Sequence, residues 1–213
     1  MLAGVDLDVA QGEIVLLQGP NGAGKSSLLR ACAGLLPVVH GCAEVLGADL
    51  VADPRSVRRR VGLLGHSSAL YDDLSVRENV RFAVRASGGS RDGVDDALAT
   101  LGLTGRLAGT PVGGLSAGQR RRVALAVLVA RNAELWLLDE PHAGLDAEHR
   151  DLLDRLVRSA VGKGATVVLA SHERDRAHAL AGRVVEVSGG VVNAVTPAPG
   201  GLARGERGRA NVA

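Results

Sequence analysis

The chain is expected to fold as a layered α/β protein around one mostly parallel sheet, and three features carry that expectation. Short apolar runs bounded by turn residues, Ile14-Val15-Leu16-Leu17 and Leu135-Trp136-Leu137-Leu138 among them, read as buried strands. Amphipathic stretches of helical length alternate with these runs, as crossover connections in a parallel sheet require. The third feature is Gly-Pro-Asn-Gly-Ala-Gly-Lys-Ser at Gly19–Ser26, which follows the first run directly and fits the P-loop pattern G-x-x-x-x-G-K-[ST]. Together they predict a P-loop NTPase with a RecA-like core.

Taken in order, Val5-Asp6-Leu7-Asp8-Val9 alternates strictly and Ala10-Gln11-Gly12 turns into Glu13–Gln18, so the chain is expected to open with N-terminal antiparallel strands. The nucleotide loop follows, with Gly19, Pro20, Asn21, Gly22, Ala23, Gly24, Lys25, Ser26 and Ser27 as its contacts. Its glycines let backbone N–H groups curl around a β-phosphate, Lys25 reaches the β and γ oxygens, and the Ser26 hydroxyl suits Mg²⁺. Helix formers from Ser26 to Leu35 put a helix N-terminus against the phosphates until Gly34 and Pro37 stop the helix. Gly41–Val51 reads as short strands and turns, Pro54–Arg60 as a basic surface turn or helix, and Val61–Gly65 as a short buried strand ending at His66.

From Ser75 to Gly114 the pattern is helical, with Val76, Val80, Ala83 and Val84 on one face and Arg77, Arg81 and Arg85 on another. That arginine row reads as a solvated face or as a docking surface. A second helix runs from about Gly93 to Leu101. Ser116 is an N-cap candidate for Ala117–Arg131, with Arg120, Arg121 and Arg122 expected in solvent and Val123–Ala130 buried. Glu134–Leu138 is a strand delivering Asp139 and Glu140 to its C-terminal tip, where open α/β sheets place their chemistry. A helix (Ala147–Val161), a strand (Thr166–Ala170), a helix (Glu173–Leu180) and two strands (Arg183–Val187, Val191–Val195) complete the pattern. Residues 1–195 are thus expected to form one domain with a helical segment at about 75–115 inserted in it. The stretch after it, rich in Pro, Gly and Arg, is expected to be a disordered tail.

Composition narrows the function. Of 25 cationic residues only Lys25 and Lys163 are lysines. A chain that writes Arg almost everywhere still writes Lys in the P-loop, where a compact ammonium fits and a planar guanidinium does not. A net charge of +2, with one Trp, one Tyr and one Phe, offers neither a basic patch nor a stacking platform for nucleic acid. The longest apolar run, Val123–Ala130, is far short of the ~18 residues of a membrane span, and the acidic residues near the N-terminus argue against a signal peptide. Cys32 and Cys42 lack metal-ligand spacing and read as small buried hydrophobes. The six histidines likewise lack it, and no structural metal is expected.

Leu135–Glu140 is a Walker B motif: Asp139 is placed for the Mg²⁺ shell, and Glu140 for orienting the attacking water beside a γ-phosphate. An apolar strand ending in acidic residues is by itself a weak signal. Here it leads straight into Pro141-His142-Ala143-Gly144-Leu145-Asp146, and Leu115-Ser116-Ala117-Gly118-Gln119 precedes it. Leu115–Gln119 alone would read as an ordinary capped helix start.

In this order and spacing the motifs resemble those of the ATP-binding subunits of ABC transporters, across residues 4 to about 195. The resemblance implies a signature motif at Leu115–Gln119, a D-loop at Ala143–Asp146, and a γ-phosphate-sensing histidine at His172. It further implies a head-to-tail homodimer in which Ser116, Gly118 and Gln119 of one subunit face the ATP held by the other, with Asp146 linking the two sites. It implies an integral membrane permease as partner and a place on the cytoplasmic face of a bacterial membrane. Two departures stand out. His66 occupies the position where such ATPases carry a Gln that contacts Mg²⁺, and Met1 begins too late to include the aromatic residue that stacks on adenine, so the translation start is expected upstream. Gly65-His66 with Leu115–Ala126 looks most like the haem-exporter ATPases of cytochrome c maturation. The competing readings are the ATPase subunit of a drug, antibiotic or lipid exporter, a non-transport ATPase of the same family, which usually carries two fused cassettes or a coiled-coil insertion, and a small-molecule P-loop kinase, which would lack Leu115–Gln119.

Overall fold

The computed structural model describes residues 2–65, 69–90 and 92–198. In chain order the strands are β1 (Ile14–Gln18), β2 (Glu44–Val45), β3 (Ala48–Asp49), β4 (Val61–Leu64), β5 (Leu135–Asp139), β6 (Thr166–Ala170), β7 (Arg183–Ser188) and β8 (Val191–Pro197). The helices are α1 (Lys25–Cys32), α2 (Val76–Ala86), α3 (Val94–Thr100), α4 (Ala117–Arg131), α5 (Ala147–Gly162) and α6 (Arg174–Leu180). One six-stranded sheet runs in the order β4-β5-β6-β1-β7-β8, and β2 and β3 form a separate ribbon. The pairs β4–β5, β5–β6, β6–β1 and β1–β7 are parallel, whereas β7–β8 is antiparallel.

Strand residues alternate between two cores, one on each face of the sheet. Leu16, Trp136, Leu138, Val167 and Leu169 point to the face covered by the helical segment and by α5 and α6. Val15, Leu17, Leu135, Leu137, Val168 and Ala170 point to the face covered by α1. A parallel sheet buried on both faces explains why these strands read as continuous apolar runs. Val15, Leu16 and Leu17 are at most 1 % exposed, and each such side chain stabilises the fold by about 1.5–3 kcal/mol.

The expected N-terminal hairpin does not form. Both edges of β1 are taken by parallel neighbours, β6 and β7, which leaves no edge for an antiparallel partner. The alternation at the N-terminus nevertheless reports burial, since Leu2, Val5, Leu7 and Val9 pack on the α1-side core without joining a ladder. Among the described residues, the antiparallel pairs between named strands are β2–β3 and β7–β8.

The helical segment packs α2 and α3 onto α4. A capping box starts α2, with the Ser75 hydroxyl accepting from the Glu78 N–H and the Glu78 carboxylate accepting from the Ser75 N–H. Thr196, Pro197 and Ala198, expected to begin a disordered tail, instead complete β8 and its exit: Ala198 is buried and its N–H donates to the Gly182 carbonyl. The remainder of that tail lies outside the described residues. Of the two cysteines expected to be buried, Cys32 is half-buried in α1, and Cys42 is exposed because it lies in the loop just before β2.

Candidate functional site

The strand order creates the site. β6 lies between β1 and β5, and the three end level, with Leu17 opposite Ala170 and Ala170 opposite Asp139. The loops leaving these tips therefore stand side by side: Gly19–Ser26 after β1, Ser171-His172 after β6, and Glu140 after β5. Asn21 to Ser27, Asp139, Glu140 and His172 line one cleft of about 320 Å³.

The nucleotide loop needs its glycines for geometric reasons. Gly19 has φ of 149°, and a Cβ there would lie 1.9 Å from the Val187 carbonyl oxygen on β7. Gly24 caps α1 in the left-handed region, with φ of 106°. Lys25 is buried, and its Nζ donates to the carbonyls of Gly19 (2.8 Å) and Pro20 (3.0 Å), so the ammonium closes the ring of the loop from inside. That position leaves the charge at the centre of the loop.

Glu140 has a left-handed backbone, with φ of 48°, a conformation costing about 1–2 kcal/mol in a residue with a Cβ. Its N–H donates to the Ala170 carbonyl (2.8 Å), and its carboxylate accepts from the His172 N–H (3.0 Å). The His172 Nε2 stands 3.6 Å from the other carboxylate oxygen. Glu140 and His172 thus face each other across the cleft, and both are solvent-accessible. Asp139 is buried at the cleft floor. With Ser26 on the same wall it supplies a hydroxyl and a carboxylate, hard oxygen donors of the kind Mg²⁺ takes.

Ser116, Gly118 and Gln119 do not join this cleft. Ser116 N-caps α4 in a capping box, accepting from the Gln119 N–H (3.2 Å) while the Gln119 side-chain oxygen accepts from the Ser116 N–H (2.9 Å). Gly118 lies against the D-loop, where a Cβ would come 3.1 Å from the Gly144 carbonyl oxygen. Asp146 is the exposed N-cap of α5 and accepts from the His149 N–H (2.9 Å). Hydrogen bonds from His149 hold the Asp146 carboxyl below its usual range. His66 lies outside the described residues.

Sequence reading missed two features next to the site. Arg121, expected in solvent, is 8 % exposed. The helical period contained the signal, since 121 stands three and four positions before buried Ala124 and Leu125, but a run of three arginines masked it. The second feature is the setting of His142, which the sequence marks only by its place directly after Asp139-Glu140-Pro141: it is 1 % exposed, and its Nε2 lies 2.8 Å from Asp154 of α5. Arg176 of α6 pairs with both Asp154 and Asp151. The joint D-loop, α5 and α6 contact has no local sequence signature.

Comparison with known proteins gives the family. The ABC transporter family model matches residues 2–143 of this chain. The chain belongs to the ABC transporter ATP-binding family. The cassette is 40 % identical over 173 residues to the cytochrome c biogenesis ATP-binding export protein CcmA 2 of Cupriavidus metallidurans, covering 80 % of this chain and 82 % of the relative. It is 43 % identical over 172 residues to CcmA of Rhodopseudomonas palustris, covering 81 % and 84 %. It is 41 % identical over 207 residues to the hemin import ATP-binding protein HmuV of Streptomyces coelicolor, covering 92 % and 72 %. Among solved structures, the ATP-binding subunit of an ABC transporter superposes with a TM-score of 0.86 at 28 % identity, covering 92 % of this chain and 83 % of that one. A dimeric cassette in a post-hydrolysis state, bound to ADP and Pi, superposes with a TM-score of 0.84 at 26 % identity, covering 93 % and 91 %. The cassette binds ATP and hydrolyses it. Among its described residues no helix is long and apolar enough to cross a membrane.

Proposed function

We propose that this cassette is the ATPase subunit of a bacterial haem exporter serving cytochrome c maturation. The observation that carries the reading is the run of relatives named for cytochrome c biogenesis export, at 40 % and 43 % identity over about four fifths of both chains. The sequence itself adds Gly65-His66 and Leu115–Ala126.

In this reading the loop from Gly19 to Ser27 wraps the phosphates of ATP and Lys25 releases the Gly19 and Pro20 carbonyls to bind the β and γ oxygens. Ser26 and Asp139 would hold Mg²⁺, which when bound would neutralise charge developing on the phosphates. Glu140 orients the attacking water and accepts its proton, and His172 donates toward the γ-phosphate. Ser116, Gly118 and Gln119 present the α4 N-terminus to ATP held by a second copy. The absence of these three from their own subunit's cleft supports a head-to-tail homodimer.

A membrane permease is the other partner, and the cassette works at the cytoplasmic face. A groove of about 220 Å³ between β4, α2 and α4, lined by Leu63, Gly65, Leu70, Tyr71, Asn79 and Phe82, offers it a seat. Tyr71 and Phe82 are exposed and meet edge to face at 5.0 Å, an uncommon amount of solvent-facing aromatic surface in this chain. His66, which follows Gly65 in the sequence, is the proposed coupling residue, so His66→Ala should keep ATP binding while impairing cytochrome assembly.

The streptomycete relative named for hemin import favours a second reading, import, by matching 92 % of this chain. Deletion of the gene separates these readings. Export predicts loss of c-type cytochromes, restored by the wild-type gene and not by Lys25→Ala. Normal cytochromes with failure to grow on hemin as iron source would establish import, and normal cytochromes with new drug sensitivity would establish a drug exporter.

A further inference from the structure

Arg121 stands near the start of the signature helix α4, yet its guanidinium faces the Walker B turn. Nη1 donates to the Gly65 carbonyl (2.7 Å), Nη2 to the Asp139 (3.1 Å) and Glu140 (2.5 Å) carbonyls, and Nε to the Pro141 carbonyl (3.3 Å). No side-chain carboxylate is among these partners. A buried arginine must place its donors on acceptors, and here four backbone carbonyls take them, one of which, that of Glu140, also accepts from the Ala143 N–H (3.2 Å). The carbonyls it holds flank Glu140, the residue whose backbone sits in the left-handed region. Burial weakens the hold of Arg121 on its proton, opposed by the fields of Asp139 and Glu140, and no nearer anion relieves it.

We propose that Arg121 is a positioning residue that fixes the Glu140 turn to the signature helix of its own subunit, so that α4 and the water-orienting carboxylate move together. The inference rests on the assignment of Glu140 as the group that orients water and of Ser116–Gln119 as the contact to the second subunit's ATP. Under that assignment, α4 meets one nucleotide with its N-terminus while Arg121, further along the same helix, holds the backbone of the turn that carries the carboxylate serving the other nucleotide. The two composite sites of a dimer are then joined by a rigid arm within each subunit. Gly65, the fourth carbonyl in the clasp, directly follows β4 and lines the groove between β4, α2 and α4, so the arm also reaches that groove.

A double-mutant cycle on the purified full chain tests this. Single-turnover hydrolysis and ATP binding are measured for wild type, Arg121→Gln, Glu140→Gln and the double variant. Arg121→Gln is expected to slow hydrolysis by up to about 10²-fold, the size of effect that misplacing a catalytic group by an ångström produces. ATP affinity should stay within about threefold, because the Lys25 loop is untouched. Arg121→Lys, which keeps a charge and three donors, should recover part of the rate. In the Glu140→Gln background, Arg121→Gln should add little, because both act through the same carboxylate. Multiplicative losses in the double variant, or an Arg121→Gln rate within twofold of wild type, would overturn the proposal. If Glu140→Gln itself hydrolyses at the wild-type rate, the assignment of Glu140 fails instead. Should Arg121→Gln lose its cooperative thermal transition, the same cycle is run with Arg121→Lys and read by the same criteria.

Discussion

Lys25 and Glu140 face the same cleft from different strand tips, and their surroundings assign them different tasks. Lys25 is buried and bound to two loop carbonyls, so removing it takes the charge from the centre of the phosphate loop. Lys25→Ala is therefore expected to abolish ATP binding, as read by nucleotide protection of the thermal transition. Glu140 touches no part of that loop, so Glu140→Gln should bind ATP and stall, with hydrolysis slower by roughly 10²–10⁴. A Glu140→Gln chain that turns over normally would remove the carboxylate from the mechanism. The two cysteines make a separate test of burial. Desolvation pushes the Cys32 thiol up to about 11, outweighing a backbone hydrogen bond that lowers it. Cys42 is exposed. Because the thiolate is the reactive form, iodoacetamide at neutral pH should label Cys42 and spare Cys32, whose labelling rises only as the pH approaches about 11. Equal labelling of both at neutral pH would show that α1 does not bury Cys32 in solution.

Two helices begin with the same device. Ser75 with Glu78 and Ser116 with Gln119 each close a capping box. Replacing either serine by alanine should cost about 1 kcal/mol of stability, a fall of about 2–4 °C in Tm for a domain of this size. The consequences for hydrolysis should differ, because only α4 is proposed to meet a nucleotide. Ser116→Ala is expected to slow ATP turnover well beyond what its stability loss explains, and Ser75→Ala to leave it near wild type. Matching rates in the two variants would argue that the α4 terminus contributes only its cap. The same pair of helices shows how local signals fare: both helix starts and the Ser116 cap were legible, while the Ser75 cap, which rests on the same pattern with Glu78 three residues on, was not read from it. The placement of Arg121 was not, because whether an arginine faces solvent or a neighbouring loop depends on what lies across from it.

At the scale of the whole molecule, the proposed homodimer divides what hydrolysis needs between two subunits. The cleft carries the P-loop, Asp139, Glu140 and His172, while Ser116, Gly118 and Gln119 sit elsewhere. Mixing a Ser116→Arg chain with a Lys25→Ala chain should therefore rebuild one competent composite site per heterodimer. Each variant alone should be inactive, and the mixture should recover activity up to about half that of wild type, measured as steady-state ATPase against mixing ratio. No recovery at any ratio, or full activity from a monomer on size exclusion, would refute the shared site.

Ligand chemistry wrote the P-loop, the Walker B pair and the signature cap into contiguous stretches, so the α/β core, its strands and most of the candidate site could be read from residues 14–172 in order. Each of those motifs is a set of groups only a few positions apart, in the proposed reading meeting a phosphate or capping a helix, and such constraints survive in one dimension. Tertiary structure alone decided which strands are neighbours. Val5–Val9 alternates as a strand should, yet it forms no ladder because β6 and β7 occupy both edges of β1. The insertion of β6 between β1 and β5 brings His172 to Glu140. Packing across sequence gaps likewise put Arg121 under the Glu140 turn and His142 against Asp154 and, through it, Arg176. These contacts follow from how the whole sheet and its helices share buried space, a condition that no short segment of the chain contains by itself.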